Sequence, residues 1–296
     1  MPVFGQVATA MVTPFKEDGS LDRDGAQRLA RHLVDNGTDC VVVAGTTGES
    51  PTLHGEETWN LLAAVQEAVD GDGKIVVGTG SNDTRHAVQL TERANEAGVD
   101  GVLVVTPYYN KPDAAGQLAH FTAVAEASES PVLLYDIPGR TGVEIPFDVL
   151  VELAQIEHVV GVKDATNDVI KASRLLTATA DVEGGFEVYS GADEFNLPLL
   201  AVGASGVVSV ASHLVGPQIQ ELCRAAIEDP RRAGAVHRAM LPLVEALFKA
   251  PNPAPVKGAL ARFGLPAGPV RLPLVAAPKD IVDAVVAATE TVRNLA

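Results

Sequence analysis

A lysine closes an otherwise apolar run in VVGVKDA, Val159 to Ala165. Burying an unpaired ammonium is costly, so a lysine in this place calls for a reason. One reason is chemistry. An amine with an ordinary pKa near ~10.4 is uncharged in only about 0.04% of molecules at pH 7, and desolvation lowers that pKa. The uncharged amine attacks carbonyls to form a Schiff base. The iminium is an electron sink, so a neighbouring carbon can lose a proton and become an enamine. The other reason is structural, an ion pair of Lys163 with Asp164 or a different carboxylate.

A Schiff-base site needs a proton carrier and a grip on its substrate. Tyr135 lies in the preceding apolar run, one strand over at about 4.8 Å spacing, and a phenol can donate and accept protons within that reach. The segment GTTGES offers the hydroxyls of Thr46 and Thr47, the acid Glu49 and closely spaced backbone N–H groups in a Gly-bounded turn, a concavity suited to an anion. Arg140 follows a Pro-Gly turn and can hold a carboxylate through paired hydrogen bonds. Taken alone, the first segment is also an ordinary turn before a helix, and Arg140 an ordinary surface arginine.

These residues need a frame. Eight short apolar runs recur: QVATAMVTPF, CVVVAG, KIVVGTG, GVLVVTP, PVLLYDIP, VVGVKDA, FEVYSG and SGVVSVAS. They are rich in Val and nearly unbroken, the pattern of strands buried on both faces of a parallel sheet. Between most of them lie segments of helical spacing, with Leu29, Leu33 and Val34, then Leu61, Leu62 and Val65, then Leu118, Phe121 and Val124 sharing faces. Asp22, Asn82 or Asp83, and Asp168 mark helix starts. The alternation predicts an α/β fold, a (β/α)8 TIM barrel over residues 1–220 that carries the chemistry. An open doubly-wound sheet is the rival, disfavoured by the strand count and by the lack of a nucleotide-binding glycine fingerprint. After His213 no strand-like run remains. Segments 214–228, 230–248, 253–263 and 279–294 read as helices, so residues 221–296 form a C-terminal helical extension packed on the barrel.

Barrels keep their chemistry at the C-terminal ends of the strands. Lys163 closes its strand, whereas Lys74 opens one and belongs on the opposite rim. All four tyrosines, Tyr108, Tyr109, Tyr135 and Tyr189, fall at or just past strand ends, as a set on one rim.

Composition narrows the function. The 296 residues carry a net charge of −16, which repels nucleic acid, and no basic run argues otherwise. No apolar run approaches membrane-spanning length, and the N-terminus shows no signal-peptide pattern, so a cytoplasmic protein is expected. Cys40 and Cys223 read as small buried apolar residues. The seven histidines lack metal-ligand spacing and read as surface or loop residues. A zinc-dependent aldolase is therefore disfavoured against a lysine-dependent one.

GTTGES, VTPYYNKP, YDIPGRTG, VKDA and NPAPVK together resemble the 4-hydroxy-tetrahydrodipicolinate synthase (dihydrodipicolinate synthase) family, over nearly the whole chain. The resemblance implies a barrel with a helical C-terminal region, usually assembled as a homotetramer of paired tight dimers, with no metal or organic cofactor. It implies condensation of pyruvate with L-aspartate-4-semialdehyde, the first committed step toward diaminopimelate and lysine. Carried over by motif, Lys163 forms the pyruvate Schiff base and Tyr135 is the proton donor and acceptor. Thr46 and Tyr109 complete a proton relay with Tyr135, Tyr109 reaching across the tight-dimer interface. Thr47 holds the pyruvate carboxylate, Arg140 binds the carboxylate of the semialdehyde, and Gly191 and Val208 line the pocket.

Sugar-acid aldolases of the same superfamily, of the N-acetylneuraminate lyase or 2-keto-3-deoxy-gluconate type, keep the Lys and Tyr but diverge around P-G-R-T-G. Arg140 is the feature that selects the synthase. A barrel that binds a small anion without catalysis is the third reading. The chain departs from lysine-inhibited family members. Gly55 and Thr58 stand where those carry histidines, and His86 where they carry a carboxylate, although Asn82 and Tyr108 are kept. Weak or absent inhibition by free lysine is expected.

Overall fold

The structure, a computed structural model, describes residues 2–295. Each of the eight Val-rich runs is a strand: β1 Val7–Ala10, β2 Cys40–Val43, β3 Lys74–Gly78, β4 Gly101–Val105, β5 Val132–Asp136, β6 Val159–Asp164, β7 Glu187–Ser190 and β8 Gly206–Ser209. They hydrogen-bond in chain order into a closed barrel. β1 and β2 pair in parallel, as do the successive strands from β3 to β8, in keeping with the unbroken apolar runs.

Helices fill the intervals: α1 Arg23–Asp35, α2 Glu57–Val69, α3 Thr84–Glu96, α4 Ala114–Glu126, the single turn α5 Pro138–Thr141, α6 Phe147–Leu153, α7 Val169–Ala178 and α8 Asn196–Ala201. Four more follow β8: α9 Ser212–Glu228, α10 Pro230–Leu247, α11 Ala254–Arg262 and α12 Lys279–Arg293. Three of the anticipated start signals are N-caps. The carboxylates of Asp22, Asp83 and Asp168 accept from the backbone N–H of Gly25, Arg85 and Lys171, each satisfying a first-turn donor.

Two compact units are distinguished by their internal contacts. One comprises Val76–Val208 with the N-terminal residues through Gly5; the other comprises Gln6–Ile75 with the chain from Ser209 onward. In the first, Phe4 is buried at the strand-start end of the sheet. Its backbone N–H donates to the Tyr189 hydroxyl at 3.0 Å, and the Val3 N–H donates to the Glu187 carboxylate. Gly101 is required beneath it, because a Cβ there would lie 2.6 Å from the Phe4 ring. This changes the reading of Tyr189. Its hydroxyl also bonds Glu187 at 2.7 Å, so it serves the strand starts and does not join the other tyrosines on the rim.

In the second unit, Thr9 of β1 bonds Thr38 and Ser212 at 2.7 and 2.8 Å. His213 is buried, against the expectation of a surface or loop histidine. The Val12 N–H donates to its Nε2 at 3.1 Å and its Nδ1 donates to Val210 O at 2.9 Å, so the ring is neutral. Burial pushes its pKa down to about 4. His120 in the first unit is also buried, with Thr84 on its Nδ1. Its helix shows why. The buried face of α4 runs through Gln117, His120, Phe121, Val124 and Ala125, rotated from the all-apolar stripe through Leu118. Cys40 and Cys223 are both buried and neither is in a disulfide. Among the described residues no helix is long and apolar enough to cross a membrane.

Candidate active site

Period-two alternation decides which strand side chains meet. In register, Tyr135 of β5 stands beside Lys163 of β6, and Asp136 beside Asp164. The two pairs therefore point to opposite faces. Lys163 Nζ sits 4.0 Å from the centroid of the Tyr135 ring, and both side chains are buried. Among the described residues no carboxylate lies within ion-pair distance of this amine. Desolvation pulls its pKa down to about 7; Asp193 raises it through space and the Arg140 guanidinium lowers it. A far larger share of molecules then carries a neutral amine at pH 7 than for an exposed lysine.

The structural alternative, a Lys163–Asp164 ion pair, is excluded by the same alternation. Asp164 is turned to the other face, where Thr166 donates to it from backbone and hydroxyl at 2.8 and 2.7 Å. Asp136 is met there by Lys171 of α7, whose Nζ also reaches Glu144 and the Ile145 carbonyl. Burial raises the Asp136 pKa to about 6 against the pull of Lys171. Buried lysines thus fall into two kinds. Lys171 and Lys257 are matched to carboxylates, at 2.9 and 2.6 Å; Lys163 has an aromatic face instead.

Asp193 was not singled out by residue type. It is buried just past β7 and accepts from Asn196 Nδ2 at 3.1 Å. Gly191 lies between it and the strand. Its N–H donates to Asp164 O at 2.7 Å, and a Cβ at this position would stand 3.0 Å from Lys163 Cγ. A side chain there would press on the lysine stem, which would have to give by a few tenths of an ångström. Val208 closes the same unit on β8 and is buried. Arg140 is exposed on α5, where the Pro-Gly turn puts it one helical turn from Ile137. Tyr109 is 89% exposed with φ +73, in a loop tied down by Asn110 Nδ2 donating to Asn82 O at 2.8 Å.

The GTTGE turn belongs to the second unit and is built with unusual care. It leaves β2 through Ala44 and ends at Glu49, both left-handed at φ +52 and +56 without being glycine. Such residues persist where surroundings over-determine them. Thr46 is half-buried, and its carbonyl accepts from the Glu49 N–H. Thr47 is buried, and its Oγ1 accepts from Asn252 Nδ2 at 2.9 Å. The Thr13 hydroxyl donates to Gly48 O at 2.6 Å. Glu49 is gripped by Lys257 Nζ at 2.6 Å and by the Arg271 N–H at 2.9 Å. Arg271 in turn holds Glu57 through both NH groups, and the Lys257 and Arg271 cations lie 4.4 and 4.0 Å from the centre of the Phe15 ring. Asn252 and Lys257 come from NPAPVK, a segment whose partners no local pattern reveals.

Across its length the chain finds close relatives. Residues 3–292 match the dihydrodipicolinate synthetase family. The 4-hydroxy-tetrahydrodipicolinate synthase of Thermosynechococcus vestitus is 49% identical over 284 residues, 95% of each chain. A dihydrodipicolinate synthase crystal structure from Bacillus anthracis superposes with a TM-score of 0.93 at 44% identity, covering 98% of this chain and 99% of that one. Another, from Cyanidioschyzon merolae with lysine bound, superposes at 0.95 with 41% identity and full coverage of both chains. With a closed eight-stranded barrel, a buried strand-end lysine and this extent of identity, the chain belongs to the dihydrodipicolinate synthetase family.

Proposed function

We propose that this protein is a 4-hydroxy-tetrahydrodipicolinate synthase, condensing pyruvate with L-aspartate-4-semialdehyde through a Schiff base on Lys163. The observation that carries the reading is the buried Lys163 amine, facing Tyr135 and without a carboxylate partner among the described residues. The neutral amine adds to the pyruvate carbonyl, and the carbinolamine loses water to give the imine. Removal of a methyl proton leaves the enamine, which attacks the aldehyde carbon. The amine of the second substrate then attacks the imine carbon, closes the ring and releases Lys163.

Tyr135 carries the protons, with Thr46 and Tyr109 as its relay. Thr47 takes the pyruvate carboxylate, Arg140 that of the semialdehyde, and Gly191 and Val208 line the pocket. An 89% exposed tyrosine is a poor proton carrier in an isolated chain. Its exposure favours a homotetramer of tight dimers, in which Tyr109 reaches a neighbouring copy's site. Two buried cysteines outside any disulfide favour the cytoplasm. The exposed Arg140 guanidinium favours a second substrate bearing a carboxylate over a sugar acid.

Steady-state assays test the choice of substrate. Pyruvate with aspartate-4-semialdehyde is expected to turn over with kcat/KM far above that for cleavage of N-acetylneuraminate or 2-keto-3-deoxy-gluconate; the reverse order would move the protein to the sugar-acid aldolases. Feedback by free lysine is expected to be weak or absent. Gly55 and Thr58 offer no imidazole, and His86 no carboxylate, at the places where lysine-inhibited members carry those groups. Titration with free lysine should lower the rate only weakly or not at all, and a submillimolar inhibition constant would contradict this.

A further inference from the structure

The Thr47 hydroxyl has one proton and two lone pairs. Asn252 Nδ2 occupies a lone pair at 2.9 Å, in a contact between side chains that are 8% and 4% exposed. Among the described residues the hydroxyl donates to no protein acceptor. A buried O–H donor is thus held with its oxygen engaged and its proton unspent. Left to rotate, a threonine hydroxyl can present either proton or lone pair, and an anion is attracted by the first and repelled by the second. The amide fixes which one is offered.

The same segment fixes the other end of the turn. Five residues after Asn252, Lys257 grips Glu49 and also donates to Pro269 O at 2.7 Å. Thr47 and Glu49 are two residues apart, so the segment running from Asn252 into α11 clamps the turn on both sides of Gly48, whose carbonyl is taken by Thr13.

We propose that Asn252 is a positioning residue for keto-acid capture: by donating to Thr47 Oγ1 it commits the Thr47 hydroxyl proton to the carboxylate of the bound substrate. The inference rests on the keto-acid reading above. It makes Asn252 act through Thr47 and on binding, not on the proton transfers at Lys163.

The test is the pyruvate dependence of adduct formation, read by borohydride reduction and mass spectrometry, with turnover measured alongside. Asn252→Ala should raise the pyruvate half-saturation about tenfold, the scale of a lost hydrogen bond to a charged group. Turnover at saturating pyruvate should stay within about twofold of wild type, because the interaction is made equally in ground and transition states. In a Thr47→Val background the same substitution should add nothing, since the hydroxyl it orients is gone. Asn252→Asp keeps the shape but reverses the donor and adds a negative charge, so its half-saturation should exceed that of Asn252→Ala. It also decides the matter if Asn252→Ala fails to fold. Unchanged half-saturation in a folded variant, or an effect of Asn252→Ala that persists in full beside Thr47→Val, would overturn the proposal. Wild-type protein that forms no adduct would overturn the keto-acid reading, and this proposal with it.

Discussion

Lys163→Ala is expected to leave a folded barrel with no pyruvate adduct and a kcat/KM lower by at least about 10⁴, the scale seen when a covalent nucleophile is removed. Circular dichroism and a borohydride trap, run on the same sample, separate loss of chemistry from loss of fold. The cause is the state of the amine. Burial brings its pKa to about 7, so it is protonated and inert in acid. The rate of imine formation in the wild type should climb as pH rises through about 7 and then level off. Stability should move with the same titration. A folded pKa below the unfolded one means the native state resists protonation of this group. That destabilisation is complete below pH 7 and is relieved as pH rises from 7 toward the ordinary lysine value. Lys163→Met, which keeps the volume, should therefore raise the melting temperature most at neutral pH and below. A nucleophile that weakens the fold is the expected cost of a reactive site.

Lys257→Met is expected to behave in the opposite way. Glu49 and Lys257 are both essentially inaccessible, and the amine sits against the carboxylate at 2.6 Å. Burial lowers the lysine pKa to about 8 even with Glu49 in contact, which means that desolvation outweighs the attraction. Such a pair stabilises little as a whole, yet removing one member strands the other. The single substitution should cost about 3–5 kcal/mol in denaturant unfolding, whereas Glu49→Gln with Lys257→Met should recover more than half of that loss. Additive costs in the double variant would show that the pair is not coupled.

Much of this architecture is legible in short windows. A strand buried on both faces needs only a run of apolar residues, and all eight runs are strands. A helix start needs one acceptor at one position, and Asp22, Asp83 and Asp168 supply it. Lys163 stands out for the same reason: a charge ends a run that excludes charge.

What escapes the sequence depends on partners far along the chain. Asn252 and Thr47 are separated by 205 residues, and Lys257 and Glu49 by 208. No periodicity relates them. Tyr189 closes a strand as Tyr135 does, but its hydroxyl is claimed by Phe4 from the start of the chain. Gln117 and His120 face inward on α4 because the neighbouring elements offer partners: the carbonyls of Pro112 and Glu144 for the Gln117 amide, and the Thr84 hydroxyl for the imidazole. An apolar stripe drawn through Leu118 cannot anticipate polar groups that find partners elsewhere, even though Gln117 Oε1 and His120 Nε2 are left without a partner among the described residues. Asp193, the carboxylate that acts on Lys163 through space, sits past a strand end among several polar residues and looks like any of them.

The proposed chemistry requires that a keto acid be captured by one buried amine. Wild-type protein incubated with pyruvate, reduced with borohydride and digested gives a direct answer by peptide mapping. The Lys163 peptide should carry one reduced pyruvyl group, while the peptides bearing Lys171 and Lys257 stay unmodified. An unmodified Lys163 peptide, or an adduct on either of the carboxylate-paired lysines, would contradict the account.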